Sequence, residues 1–204
     1  ILERYGMTET GMNTSNPLDG PRIGGTVGPP LPGVSVRIVG DDGAPCAPGT
    51  IGAIQVRGPN VLKGYWKLPE KTREEFTGDG WFRTGDMGEW TPEGYLRIVG
   101  RAKDLIITGG LNVYPKEIEE RIDAMDGVVE SAVIGVPHPD FGEAVTAVVV
   151  AKPGHALTES AIVAALKAEI AGFKVPKRVF FAADLPRNSM GKVIKAELRQ
   201  RFAR

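Results

Sequence analysis

The chain has 204 residues, 42% hydrophobic and 25% charged, which is a globular composition with room for one large or two small domains. Its 25 basic and 25 acidic side chains cancel, so no basic field points to nucleic acid. The longest apolar run, AVTAVVVA (144–151), is too short to span a bilayer. Cys46 is the only cysteine, so an intramolecular disulfide is excluded, which fits a reducing compartment.

Residues 1–100 hold most of the glycines and many prolines. These separate short β-like runs at VSVRIV (34–39), IGAIQVRG (51–58) and GYLRIVG (94–100), the pattern of a small barrel or a twisted antiparallel sheet. VRIVGDDGAPCAPGTIGAIQV reads as a hairpin with a Gly/Pro-rich turn. From about residue 101 strands and helices alternate. DLIITGGLNVY (104–114) reads as a hairpin turning at Gly109-Gly110. PKEIEERIDAM (115–125) reads as a helix, with Pro115 in its first turn, acids near its positive end, and Ile118, Ile122 and Met125 on one face. VESAVIGV (129–136) and AVTAVVVA predict strands. TESAIVAALKAEIAGF (158–173) predicts a helix capped by Thr158, with Ile162, Leu166 and Ile170 as its stripe. RVFFA (178–182) predicts a strand, and KAELRQRFAR (195–204) a final helix. The fold class is α/β in the broad sense (α+β): a β-rich first part, then an α+β domain with its own core.

Four stretches carry residue types suited to chemistry. In YGMTET (5–10), Thr8 suits donation to a phosphate oxygen and Glu9 suits Mg²⁺, which favours carboxylate oxygens. Taken alone, this Thr-Glu pair also fits a helix N-terminus or a solvated turn. In WFRTGD (81–86), Asp86 follows a Thr-Gly step read as a tight turn. A carboxylate placed there suits both hydroxyls of a ribose, and equally an Asx-type turn. In GRAKDLIITGGLNVYPKEIE (100–119), Arg101 is a fork of donors for phosphate or ribose oxygens. Gly109 and Gly110 clear side chains from a hairpin tip. In PRNSMGK (186–192), Lys192 follows a flexible Gly191 and suits phosphoryl or carboxylate oxygens, although a lone surface lysine is usually only solvated.

Together and in this order, the four resemble the superfamily of AMP-forming acyl-CoA synthetases, peptide-synthetase adenylation domains and firefly luciferases. ERYGMTETGMNTSNP (3–17), PNVLKGYW (59–66), GLNVYPKEIE (110–119), VIGVPHPDFGEAVTAVVV (133–150) and LPRNSMGK (185–192) look most like malonyl-CoA synthetases. The resemblance implies that residues 1–100 are the end of a large N-terminal domain. Residues 101–104 are then a hinge, and residues 105–204 a small mobile C-terminal domain. The chain begins at Ile1 rather than Met and is read as the C-terminal part of a longer polypeptide.

By resemblance, Thr8 contacts the α-phosphate of ATP and Glu9 holds Mg²⁺. The backbone of Tyr5, Gly6 and Met7 lies along the adenine, and Asp86 and Arg101 bind the ribose. Lys103 is the hinge. Gly109 and Gly110 line the path of coenzyme A, and Lys192 meets the carboxylate and the α-phosphate. Lys195 stands where many relatives carry Arg. Met12 and the NTSNP loop (13–17) are candidate edges of the acyl pocket. The implied reaction joins a carboxylate, malonate or methylmalonate first, to CoA through an acyl-adenylate, with release of AMP and pyrophosphate. Acetylation of Lys192 by a lysine acetyltransferase, reversed by a deacetylase, is expected to stop the first step. No nucleic-acid or membrane partner is expected. The expected compartment is the cytoplasm, or an organelle matrix if a targeting segment precedes Ile1.

The family's Gly/Ser/Thr-rich phosphate loop and most of its acyl pocket are absent from residues 1–204, so this chain alone is not expected to complete the reaction. Two other readings stand beside the ligase. A domain that loads a carrier protein predicts a carrier-like DSL serine after the lysine loop, and none precedes Arg204. A non-catalytic nucleotide- or partner-binding module predicts a damaged motif set, whereas Thr8, Glu9, Asp86, Arg101 and Lys192 are all present.

Overall fold

A computed structural model describes residues 1–203, and the chain divides into two units, Ile1–Ala102 and Lys103 onward. The first unit opens with a hairpin of β1 (Arg4–Met7) and β2 (Gly11–Ser15). YGMTET is therefore not a helix start: β1 runs into a turn at residues 8–10, the hairpin tip, which holds the Thr8-Glu9 pair. The strands approach so closely that a Cβ on Gly6 would lie 2.4 Å from the Gly11 carbonyl oxygen, so glycine is required there.

An antiparallel meander follows: β3 (Ser35–Val39), β4 (Gly52–Arg57), β5 (Phe82–Trp90) and β6 (Leu96–Arg101), in that order across the sheet. Among the described residues the sheet stays open, so of the two expected forms the antiparallel sheet is present and the barrel is not closed. Ile38, Ile54, Val56 and Leu96 form its core, with Tyr5 of β1. The helix α1 (Pro69–Glu75) has no counterpart in the sequence reading, because it buries no residue and so has no apolar stripe to betray it.

The Thr84-Gly85-Asp86 step is not a tight turn. It lies inside the nine-residue strand β5, as a bulge opposite Ile54. Gly85 takes φ +72°, Thr84 Oγ1 donates to the Ile54 carbonyl, and the Asp86 N–H donates back to Thr84 Oγ1. The bulge re-aims Asp86 without breaking the strand.

The second unit is built on a ribbon of β9 (Val128–His138) and β10 (Gly142–Ala151), paired along nearly their full lengths. The other edge of β10 carries β7 (Ile106–Thr108) at Gly142, and β11 (Arg178–Phe181), parallel, at Thr146–Val149. β7 turns into β8 (Leu111–Val113) through Gly109 and Gly110, both at positive φ as a two-residue hairpin demands. The helices are α2 (Pro115–Asp123), α3 (Glu159–Glu169) and α4 (Lys195–Phe202). Arg204, the last residue of the expected final helix, lies outside the described residues.

Both faces of the ribbon are covered, which is why AVTAVVVA is a continuous apolar run rather than an alternating one. Val145, Ala147 and Val149 pack with Ile118 and Ile122 of α2 and Ile162 and Leu166 of α3. Val148 and Val150 pack on the opposite face with Leu185 and Leu198 of α4. Thr158 caps α3 as expected, its side chain accepting from the Ala161 N–H. The helix ends earlier than expected: Ile170 is already extended and sits against the core from outside the helix.

Candidate functional site

In the first unit the site is centred on Asp86. The register of β5 and β6 sets Asp86 directly opposite Arg101, and Arg101 Nε lies 2.8 Å from Asp86 Oδ1. The Tyr5 hydroxyl reaches across from β1 and donates to Oδ2 at 2.5 Å. Each carboxylate oxygen thus has its own donor, which fixes the plane of a side chain only 7% exposed, while Arg101 remains 42% exposed at the rim. Burial, with the Asp86 charge beside it, pushes the Tyr5 phenol well above the usual tyrosine range. The phenol therefore stays a donor throughout the working pH range. The sequence reading assigned only the backbone of Tyr5 a role and missed this hydroxyl.

The tip of the β1–β2 hairpin holds Thr8, exposed, and Glu9, half-buried. It is braced by the segment 58–66. The Leu62 N–H donates to the Glu9 carbonyl at 2.8 Å, Asn60 Nδ2 donates to the Thr10 carbonyl at 2.7 Å, and the Tyr65 hydroxyl donates to Glu9 Oε1 at 3.4 Å. Partial burial and the adjacent Glu9 carboxylate push the Tyr65 phenol upward. Asn60 and Tyr65 come from a segment some fifty residues away in sequence, and spacing alone did not reveal the link. Met12 is half exposed on β2, its sulfur close beside Gly6.

In the second unit, Lys103 is exposed in a single 3₁₀ turn, Ala102–Asp104. Asp104 is tied to Arg199 of α4 at 3.2 Å. The glycine hairpin is anchored where the Gly109 N–H donates to the Phe141 carbonyl at 2.8 Å. No neighbour crowds the Cβ position of Gly110. Ile107, Leu111 and Phe141 stand exposed around this tip.

Lys192 lies on a loop of several internal hydrogen bonds, is exposed, and has no carboxylate within ion-pair distance among the described residues. Lys195 differs: it is 17% exposed and bound at 2.6 Å to Glu119, which also accepts from the Val133 N–H. It fastens α4 to α2. The lysine loop and the glycine hairpin occupy opposite ends of the β9–β10 ribbon. Arg187 of the loop pairs with Glu130, which faces Val150, whereas the hairpin meets Gly142. Gly142 and Val150 are eight residue steps apart along β10, roughly 27 Å at the usual rise.

Residues 1–66 match the sequence profile of the AMP-binding enzyme family, and residues 117–192 that of the AMP-binding enzyme C-terminal domain. The chain is 44% identical over 200 residues to a sulfoacetate–CoA ligase of Cupriavidus necator, covering 97% of this chain and 39% of the relative. It is 43% identical to a long-chain-fatty-acid–CoA ligase of Salmonella typhimurium, covering 98% and 35%. Among solved structures, ATP-bound MatB from Rhodopseudomonas palustris superimposes with a TM-score of 0.93 at 60% identity, over 100% of this chain and 41% of that one. The chain thus spans about two-fifths of the length of such relatives. No helix among the described residues is long and apolar enough to cross a membrane. Two family profiles in the order the motifs anticipated, and a structural match that covers all of this chain and two-fifths of MatB, place this chain in the AMP-binding enzyme family.

Proposed function

We propose that the protein containing this chain is an ATP-dependent acid–CoA ligase. It joins a carboxylate to the α-phosphate of ATP, releases pyrophosphate, and passes the acyl group to the thiol of coenzyme A with loss of AMP. The observation that carries a two-step reading is the separation within the second unit. A cation on one loop, with no carboxylate within ion-pair distance among the described residues, and a bare glycine edge on another, anchored at opposite ends of one ribbon, do not serve one reacting atom together. Lys192 serves the first step and Gly109-Gly110 the second, with Lys103 as the hinge between them.

In the first step two anions approach each other, the acid's carboxylate and the α-phosphate. An exposed ammonium without a competing carboxylate is suited to that charge, and one such contact is typically worth about 10²–10³ in rate. Thr8, exposed at the hairpin tip, supplies a hydroxyl for the α-phosphate, and Tyr5, Gly6 and Met7 an extended backbone edge for the adenine. Asp86 and Arg101 take the ribose hydroxyls: an ionised carboxylate offers roughly four acceptor sites, and this one is held in a fixed plane. The half-buried Glu9 fits Mg²⁺, which asks for one or two carboxylates and fills its remaining positions with phosphate oxygens and water. That ion supplies charge neutralisation on the phosphates.

For the acid we propose malonate or methylmalonate. The motif set resembles malonyl-CoA synthetases. The sulfoacetate ligase also supports a short acid with a second anionic group one carbon from the reacting carboxylate. Met12, half exposed beside Gly6, is the proposed pocket edge. The exposed Lys192 Nζ is also the proposed target of a regulatory acetyltransferase, since acetylation removes the charge and leaves the fold.

The test uses the full-length protein with ATP, Mg²⁺ and malonate, methylmalonate, sulfoacetate, acetate or a long-chain fatty acid, following AMP release with and without CoA. CoA-dependent AMP release led by the short dianions is expected. Preference for a monocarboxylate would refute the acid, and absence of AMP release with every acid would refute the ligase.

A further inference from the structure

The loop around Lys192 has no apolar anchor at its tip: Met190 is 72% exposed, and Ser189, Gly191 and Lys192 are exposed as well. Polar groups hold it instead. Asn188 Oδ1 accepts from both the Met190 N–H at 3.0 Å and the Lys192 N–H at 2.9 Å. The Asn188 N–H donates to the Lys192 carbonyl and the Gly191 N–H to the Asn188 carbonyl, each at 2.9 Å. Gly191 takes φ +78°, the left-handed turn this closure needs. Arg187 then clamps the closed loop to the sheet. One arm of its guanidinium donates to the Gly191 carbonyl at 2.6 Å, and another pairs with the Glu130 carboxylate on β9.

We infer that Asn188, Arg187 and Glu130 are positioning residues that hold Lys192 at the site of the first half-reaction, Asn188 by closing the loop and the Arg187–Glu130 pair by fixing it to β9. The inference rests on the proposed role of Lys192. A lysine is a point charge on a flexible four-carbon stem, so the backbone beneath it decides how often the ammonium stands where it is needed. Asn188 binds two loop N–H groups, those of Met190 and Lys192, with one oxygen, and alanine offers neither bond. Arg187 joins loop and sheet with one planar fork, which a lysine does not reproduce.

The experiment uses the full-length protein and separates the half-reactions: pyrophosphate–ATP exchange for the first, and conversion of supplied acyl-adenylate and CoA to thioester for the second. Asn188→Ala and Arg187→Lys are expected to slow exchange about 10- to 100-fold, leaving thioester formation and the unfolding temperature unchanged. Amide exchange at Met190 and Lys192 should accelerate in Asn188→Ala. Glu130→Gln combined with Arg187→Gln should do no more harm than Arg187→Gln alone, because the two act as one unit. Equal losses in both half-reactions, or a lowered unfolding temperature that accounts for them, would overturn the inference in favour of a general structural role. Unchanged exchange in Asn188→Ala while Lys192→Ala abolishes it would overturn positioning and leave the lysine's role standing. An unimpaired Lys192→Ala would remove both.

Discussion

Replacing Tyr5 with Phe removes one atom, the hydroxyl that donates to Asp86 at 2.5 Å, and leaves the ring in its buried place. A hydrogen bond to a charged group is worth about 1.5–3 kcal/mol. Arg101 still holds the other carboxylate oxygen at 2.8 Å, so the lower end of that range applies, and about 1.4 kcal/mol is tenfold in affinity. Tyr5→Phe should therefore lower kcat/KM for ATP about tenfold. It should also narrow the preference for ATP over 2′-deoxy-ATP, because a carboxylate held by one donor fewer reads a diol less well. Initial rates of AMP release with both nucleotides make the measurement. Unchanged KM and unchanged nucleotide preference would refute the assignment of Asp86 to the ribose by way of Tyr5. The same hydroxyl carries a pH signature. Its folded pKa is raised, so its stabilisation is complete below the ordinary tyrosine value of about 10 and is lost as pH climbs above it. Wild type should lose stability faster than Tyr5→Phe above about pH 10 and run parallel to it below.

Gly110→Ala forces a side chain onto φ +77° at a cost of about 1–2 kcal/mol and should slow thioester formation from supplied acyl-adenylate while sparing pyrophosphate–ATP exchange. Equal losses in both would contradict the division of labour. Glu119→Gln keeps an acceptor for the Val133 N–H but leaves the largely buried Lys195 without its counter-charge. A loss of about 1–3 kcal/mol in denaturant stability is expected, with the half-reactions unaltered at low temperature. Leu166→Ala opens the fully buried core of the second unit and should cost about 2–5 kcal/mol, read from the same denaturation curves.

The second unit was legible because its signals are local. Pro115 and Thr158 mark helix starts, Gly109-Gly110 marks a two-residue hairpin, and the run at 144–151 has the length of a doubly buried strand. The first unit hid more. β5 carries Thr84, Gly85 and Asp86 in mid-strand, and strand propensity reads Gly and Asp as a stop, whereas a bulge absorbs them. α1 lies on the surface with no buried side, and its composition gives no period. At the site, motif residues stood out individually, but their partners did not. Tyr5 meets Asp86 across 81 positions, and Glu9 meets Tyr65 across 56. Such pairs depend on how strands are ordered, which spacing along the chain does not encode.

The most direct measurement of the central claim follows oxygen. Malonate labelled with ¹⁸O in its carboxylates is turned over by the full-length protein with ATP, Mg²⁺ and CoA, and the nucleotide product is weighed by mass spectrometry. If the carboxylate attacks the α-phosphorus, the product is AMP carrying one ¹⁸O from the acid, with unlabelled pyrophosphate. Label in inorganic phosphate together with ADP, or AMP free of label, would contradict an acyl-adenylate and with it the roles given to Lys192, Thr8 and Asp86.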